Sequence, residues 1–294
     1  MHVHLIDGTY ELFRHFFAVP SSTDIFDQEI GALRGVVASI VGMIESGATH
    51  LGVATDHVVE SFRNDLYTGY KTGEGIDPEL RSQFEPLENA LEKLGVAVWP
   101  MVDQEADDAM AAAAGRASRD ERVERVWICT PDKDLAQCVV GDRVVQLDRR
   151  KELVRNRNGV REKFGVDPES IPDLLALMGD TADGFPGLPG WGAKSAGTVL
   201  GRYAHLEDIP QNHEDWDVKV RGAPKLAATL AEQQDSAMLF RDLATLRTDA
   251  PVFDSVDELL WKGPLPEFEA LCESMKATRL WERAVAVQTS RHGA

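Results

Sequence analysis

HVHLID, residues 2–7, is a short apolar run that stops at a carboxylate. The arrangement recurs along the chain. LGVA at 51–54 is followed by Asp56, VAVW at 96–99 by Glu105, Asp107 and Asp108, and VWIC at 126–129 by Asp132 and Asp134. Between these runs lie segments of helical periodicity at about 29–46, 78–94 and 105–118, the last rich in alanine, a strong helix former. Short apolar runs alternating with helices across short connections predict an α/β fold, a central mostly parallel sheet flanked by helices.

In such folds ligands gather beyond the carboxyl ends of the strands, where every one of these runs ends in acid. A single Asp after a strand is more often a helix cap or turn residue. Four cases at one sheet edge are different, because carboxylates crowded together repel one another and call for neutralising cations. Oxygen-only ligands favour Mg²⁺ or Mn²⁺ over zinc. Asp180 and Asp183, in GDTAD, have helical i, i+3 spacing and can add ligands to the same cluster. Two ions about 3.5 to 4 Å apart can activate a water and stabilise the leaving oxygen of a phosphoryl group. That chemistry needs many acids and no covalent nucleophile, and the chain has no GxSxG, Walker A or HExxH motif.

The bulk properties set bounds on this reading. With 294 residues, 43% hydrophobic and 27% charged, the chain can build one large or two modest cores without disulfides. Cys129, Cys138 and Cys272 form no CxxC pair and do not read as a zinc site. There is no signal-peptide core and no apolar run of membrane-spanning length, so the expectation is a cytoplasmic protein. A net charge of −18 argues against a non-specific nucleic-acid coat, although acids assigned to metal account for half of it. Basic residues concentrate between Arg143 and Lys163, which reads first as a solvated loop and helix surface.

From about residue 167 the strand signal fades and the chain turns helical, punctuated by FPGLPGWG at 185–192. The expected organisation is an α/β core over 1–166 and a helical lobe over 167–294. The stretch between Asp56 and Pro78, with Gly69, Gly73 and Gly75 spaced among Tyr67, Tyr70 and Lys71, reads as a loop for movement or substrate contact.

LIDGTYELFR, SFRNDLYTGYK, EADDAMA, TPDKDLAQ and LMGDTADGFPGLPGWGAKSA, in this order, resemble the successive motifs of the bacterial 5′-3′ exonuclease and flap endonuclease family, which includes the nuclease domain of bacterial DNA polymerase I. LATLRTDAPV at 243–252 resembles the family's C-terminal part. The resemblance implies a structure-specific 5′ nuclease with a PIN-like core that hydrolyses DNA phosphodiesters with two or more Mg²⁺ or Mn²⁺ ions in replication and repair. It implies that Asp7, Asp56, Glu105, Asp107, Asp108, Asp132, Asp134, Asp180 and Asp183 surround the metals. It further implies that Arg14, Arg63, Tyr70 and Lys71 approach the scissile phosphate or the 5′ strand, with a helical arch at about 64–90.

GLPGWGAKSA resembles the family's helix-turn-helix element (H3TH) at about 183–203, with Gly190, Gly192, Lys194 and Ser195 at duplex phosphate and K⁺ in the turn. The implied substrates are DNA with a 5′ flap, nick or 5′ end, and the implied state is a stand-alone monomer. Four positions depart from the family pattern: Glu74 for a basic residue, Thr55 for Phe, Gly184 for Asn and Trp191 for an aliphatic residue. Two other readings share the acid cluster or the fold: a PIN-like RNA-directed nuclease and a non-catalytic binder of branched DNA. The GLPGWGAK turn and long second lobe argue against the first. The intact acids and Lys71 argue against the second.

Overall fold

A computed structural model describes residues 1–292 of the chain. Its elements in order are β1 (His2–Asp7), α1 (Gly8–Phe16), α2 (Gly31–Glu45), β2 (His50–Asp56), α3 (Phe62–Leu66), α4 (Pro78–Arg81), α5 (Phe84–Lys93), β3 (Ala97–Met101), α6 (Ala106–Ala117) and β4 (Arg125–Cys129). Then follow β5 (Val144–Asp148), β6 (Leu153–Arg155), α7 (Arg157–Phe164), α8 (Ile171–Met178), α9 (Ala193–Tyr203), α10 (Ala223–Glu232), α11 (Gln234–Ala244), α12 (Glu267–Ser274) and α13 (Thr278–His292). The chain divides into two compact units. Unit 1 is Met1–Val59, Gly73–Thr130 and Thr248–Ala294, and unit 2 is Glu60–Thr72 and Pro131–Arg247.

In unit 1, β1 pairs in parallel with β2 and β4, and β2 pairs in parallel with β3. The register sets Asp7 opposite Ala54, Asp56 opposite Met101 and Ile6 opposite Cys129, so the carboxyl ends of all four strands share one edge. The apolar residues of β1 and β2 are buried on both faces, as a helix-covered parallel sheet requires, whereas β3 leaves Pro100 exposed. α6 buries all seven of its alanines, Ala106, Ala109, Ala111 to Ala114 and Ala117, and such small side chains let a helix lie close to its neighbours. Arg283 of α13 pairs with Glu45 of α2 at 2.6 Å, which ties the last described helix to this unit.

Unit 2 is mainly helical around a core that includes Leu174, Leu177, Phe185, Val199, Leu226 and Phe240. It also contains the antiparallel pair β5–β6, at a place the sequence reading gave to a charged loop and helix surface. Part of that surface reading is seen in α7. Arg157 pairs with Asp167 at 2.9 Å and Glu169 at 2.6 Å, and Arg161 pairs with Asp167 at 2.5 Å.

The compact units cut the chain elsewhere than the expected 166/167 boundary, with 248–292 in unit 1 and 131–166 in unit 2; residues 293 and 294 lie outside the described residues. The expected arch at about 64–90 is no continuous helix. Residues 67–77 are irregular, with Gly75 at φ +84°, and α5 turns its apolar stripe of Phe84, Leu87 and Leu91 into the core of unit 1.

Candidate metal-dependent active site

In unit 1 the acids stand at the junctions where strands become helices. Asp7 closes β1 and caps α1, accepting from Tyr10 N at 2.8 Å and from the Thr130 hydroxyl at 3.0 Å. Gly8 follows because there is no room for more: a Cβ there would lie 2.7 Å from Thr55 Cγ2 and 2.9 Å from the Ala54 carbonyl. Asp56 closes β2 and its Oδ1 accepts from Ala106 N at 2.8 Å, which brings the start of α6 to the end of β2. Glu105 is the residue before that helix, and its N–H donates to Asp108 Oδ2 at 2.9 Å. Glu105 and Asp108 are buried, and Asp107 is half-buried. Amides at the positive end of α6 thus stabilise negative charge beside Asp56. Arg14, on α1, is partly exposed and pairs with the buried Glu11 carboxylate.

In unit 2 the acids are more crowded. Carboxylate oxygens of Asp134, Asp180 and Asp183 all lie within 4.8 Å of one another, and all three residues are buried. Asp132 Oδ1 accepts from Asp134 N at 2.9 Å, and Asp180 Oδ1 from Ala182 N at 2.9 Å. Among the described residues, Asp134 Oδ1 and Asp180 Oδ2 receive no hydrogen bond. Burial, then the charges of Asp132 and Asp183, push the Asp134 carboxyl well above the ordinary range, with Lys133 opposing them.

Two lysines answer these charges. Lys71 Nζ lies 3.0 Å from Asp183 Oδ1, and Lys133 Nζ contacts Asp180 Oδ2 and lies 3.6 Å from Asp134 Oδ1. Lys133 and Asp180 Oδ2 form an ion pair, and no backbone amide or hydroxyl donates to that oxygen. Burial works against the Lys133 charge, but Asp134, Asp180 and Asp132 hold its ammonium above the ordinary lysine range. Sequence reasoning passed over Lys133, although it stands between two of the acids it selected.

Lys71 is placed by its own backbone, whose N–H donates to the Asp183 carbonyl at 2.9 Å. Gly184, one of the departures from the family pattern, makes that approach: it sits at φ +87°, and a Cβ would fall 2.2 Å from the Gly69 carbonyl. In the turn before α9, Gly190 takes φ +89°, and Gly192 N donates to Ser195 Oγ at 3.0 Å. Lys194 is exposed on the first turn of α9, and a cavity of about 830 Å³ beside that helix is lined by Lys163, Lys194 and Arg202.

Arg63 and Tyr70 do not present themselves to DNA as expected. Arg63 is 1% exposed, and its guanidinium donates to the Leu243 carbonyl at 2.8 Å and the Thr245 carbonyl at 3.2 Å, satisfying the end of α11. Tyr70 is 3% exposed within the core of unit 2. An apolar ring and a long cation look the same in sequence on a surface loop and inside a core, so spacing alone could not separate these cases.

A parallel sheet with acids at its carboxyl edge and a buried carboxylate group that offers only oxygen donors suit a metal-dependent nuclease. The comparisons agree on which one. A family model described as the 5′-3′ exonuclease N-terminal, resolvase-like domain matches residues 2–165, and one described as the 5′-3′ exonuclease C-terminal SAM fold matches residues 166–267. DNA polymerase I of Pseudomonas aeruginosa is 35% identical over 277 residues, covering 91% of this chain and 29% of the polymerase. A 5′-3′ exonuclease of Buchnera aphidicola subsp. Schizaphis graminum is 28% identical, covering 88% of this chain and 90% of that protein. A solved structure of T5 5′-exonuclease with bound divalent metal ions (zinc) shares the fold with a TM-score of 0.65 at 18% identity, covering 98% of both chains. The catalytic core of Rad2 in complex with DNA substrate does so with a TM-score of 0.61 at 16% identity, covering 97% of this chain and 91% of that one. The chain belongs to the 5′-3′ exonuclease family. Among the described residues no helix is long and apolar enough to cross a membrane.

Proposed function

We propose that this nuclease acts as a monomer on DNA bearing a 5′ flap, a nick or a 5′ end, hydrolysing phosphodiesters with two or more Mg²⁺ or Mn²⁺ ions. The observation that carries the reading is the buried group of Asp134, Asp180 and Asp183, in which Asp134 Oδ1 and Asp180 Oδ2 lack hydrogen-bond donors. Such all-oxygen, acid-rich ligand sets fit a hard divalent cation. Asp7, Asp56, Glu105, Asp107, Asp108, Asp132, Asp134, Asp180 and Asp183 would hold the ions. When bound, such ions supply an activated water and charge stabilisation at the leaving oxygen.

The chain's own residues do the rest. Lys71 brings its ammonium to the scissile phosphate, where it stabilises charge that develops in the transition state. Arg14 holds the 5′ strand. The amides that open α9, with Ser195 and the Lys194 ammonium, anchor duplex phosphate, and the turn around Gly190 and Gly192 keeps the backbone close enough to do so, with K⁺ as its ion. The cations Lys163 and Lys194 at the rim of the largely apolar cavity beside α9 would give an acidic chain a local contact for DNA phosphate. Incubating the protein with labelled flap, nicked, blunt and single-stranded DNA plus Mg²⁺ or Mn²⁺ tests the reading. Cuts near 5′ ends that stop in excess EDTA are expected; full cleavage in EDTA, or cutting of RNA alone, overturns it.

A further inference from the structure

Three buried carboxylates within 4.8 Å of one another are not self-sufficient: each raises the cost of ionising the others. Asp183 is answered by Lys71 at 3.0 Å. The other two depend on one side chain, because the Lys133 ammonium contacts Asp180 Oδ2 and lies 3.6 Å from Asp134 Oδ1. Lys133 reaches them from the residue directly before Asp134, at the start of a one-turn helix over Asp134–Cys138. Its side chain is 30% exposed, so the head can leave for water without moving the backbone. The contact also neutralises without saturating. Asp134 Oδ1 and Asp180 Oδ2 receive no hydrogen bond, and their lone pairs stay available to another cation.

We propose that Lys133 is a tethered counter-ion for Asp134 and Asp180: its ammonium neutralises them while no divalent ion is bound and gives way when one binds, so it sets how tightly unit 2 takes the ion. This rests on the reading that Asp134, Asp180 and Asp183 bind a divalent ion. Lys133 is then a positioning residue that acts through the acids. It lets unit 2 fold without metal, and the cost is weaker binding, because the ion must displace a cation already in place.

The test uses the full chain stripped with EDTA, titrated with Mn²⁺ and read by calorimetry and by the free-Mn²⁺ paramagnetic signal. Lys133→Met should bind the unit 2 ion about fivefold or more tightly, since one unit charge at this range is worth at least that. Its metal-free melting temperature should fall below wild type and recover with Mn²⁺. Asp183→Asn serves as the control on the underlying reading and should bind one ion fewer, or bind it far more weakly. If Asp183→Asn binds Mn²⁺ as wild type does, the metal reading itself falls. If Asp183→Asn loses an ion but Lys133→Met shows unchanged or weaker affinity, or an unchanged metal-free melt, the counter-ion role falls alone. Should Lys133→Met not fold, acetic anhydride labelling of the wild-type chain decides. Acetylation of Lys133, read by mass spectrometry, should rise as Mn²⁺ saturates, and constant or falling labelling overturns the proposal.

Discussion

In unit 1 the carboxylates stand where strands end, and each of Asp7, Asp56 and Asp108 is answered by a backbone amide at 2.8 to 2.9 Å. In unit 2 the carboxylates of Asp134, Asp180 and Asp183 crowd one another and are answered by the ammonium groups of Lys71 and Lys133. The first set is part of the scaffold, because the amides that hold the charge are the unpaired N–H groups of α1 and α6. The second set is held by side chains that can move. Acids of one proposed function therefore have opposite relations to folding: those of unit 1 stabilise the chain that carries them, and the buried group in unit 2 costs stability that two lysine ammonium groups offset.

The sharpest way to break this comparison is to remove one acid from each set. Asp7→Ala and Asp134→Asn should each lower single-turnover cleavage by about 10³-fold, as losses of transition-state charge stabilisation do. Their metal-free melts should move in opposite directions. Asp7→Ala loses a helix cap worth about 1 kcal/mol, and Asp134→Asn loses a buried charge and gains stability. The sign with pH follows from the raised Asp134 carboxyl. Its penalty is complete above its folded-state pKa and fades as pH falls toward the ordinary carboxylate range, so wild type should close the gap on Asp134→Asn on acidification. Melts in EDTA across pH check this, and shifts of the same sign would end the distinction.

A second pair of variants compares cations that look alike in sequence. Lys71→Ala should lower the single-turnover rate at saturating DNA by about 10²-fold. Lys194→Ala should keep that rate, weaken binding measured in Ca²⁺, and reduce the salt-dependence slope by about one. A normal rate for Lys71→Ala, or a lost rate with normal binding for Lys194→Ala, reverses the roles.

Arg63 extends the contrast to a cation that serves the fold. Arg63→Met should destabilise unit 2 by about 3 kcal/mol, since it leaves the Leu243 and Thr245 carbonyls without their buried donor. DNA affinity of the folded fraction should not change, and fluorescence anisotropy on thermally verified protein checks it. The smallest effect concerns His205, whose hydrogen bond to Asp173 raises its pKa against the opposing effect of burial. A raised histidine contributes stability that is complete below its unfolded-state pKa and lost as pH rises through the folded one. His205→Gln should therefore flatten the fall in metal-free stability just above pH about 6.5, by less than about 1 kcal/mol for so exposed a histidine.

The sheet and the acids at its edge were legible in sequence because both are local signals: an apolar run, then a carboxylate, repeated until chance is a poor account. β1, β2, β3 and β4 lie where HVHLI, LGVA, VAVW and VWIC predicted them, and Asp7 and Asp56 are the last residues of their strands. What escaped was long-range. Nothing near Arg63 in the sequence shows that its partners are 180 and 182 residues away, and nothing in residues 248–292 shows that they return to unit 1. Lys133 was hidden for a different reason: a lysine between two aspartates reads as a solvated charge unless the burial of its neighbours is known.

The connection between α2 and α13 bears on how the chain comes into being. Strands β1 to β4 are joined by crossovers between neighbouring segments, and these four are made by residue 129. Glu45 meets Arg283 across 238 residues, and the Ile44 and Ala48 carbonyls meet Arg291 across 247 and 243. During synthesis the sheet can therefore assemble while the outer end of α2 still waits for its cover. At ribosomal rates of about 5 to 20 residues per second, that interval lasts on the order of ten seconds or more. For that time the nascent chain carries a nearly finished acid edge on an unfinished unit, a window in which chaperones can act and in which catalytic competence lags behind the appearance of the sheet.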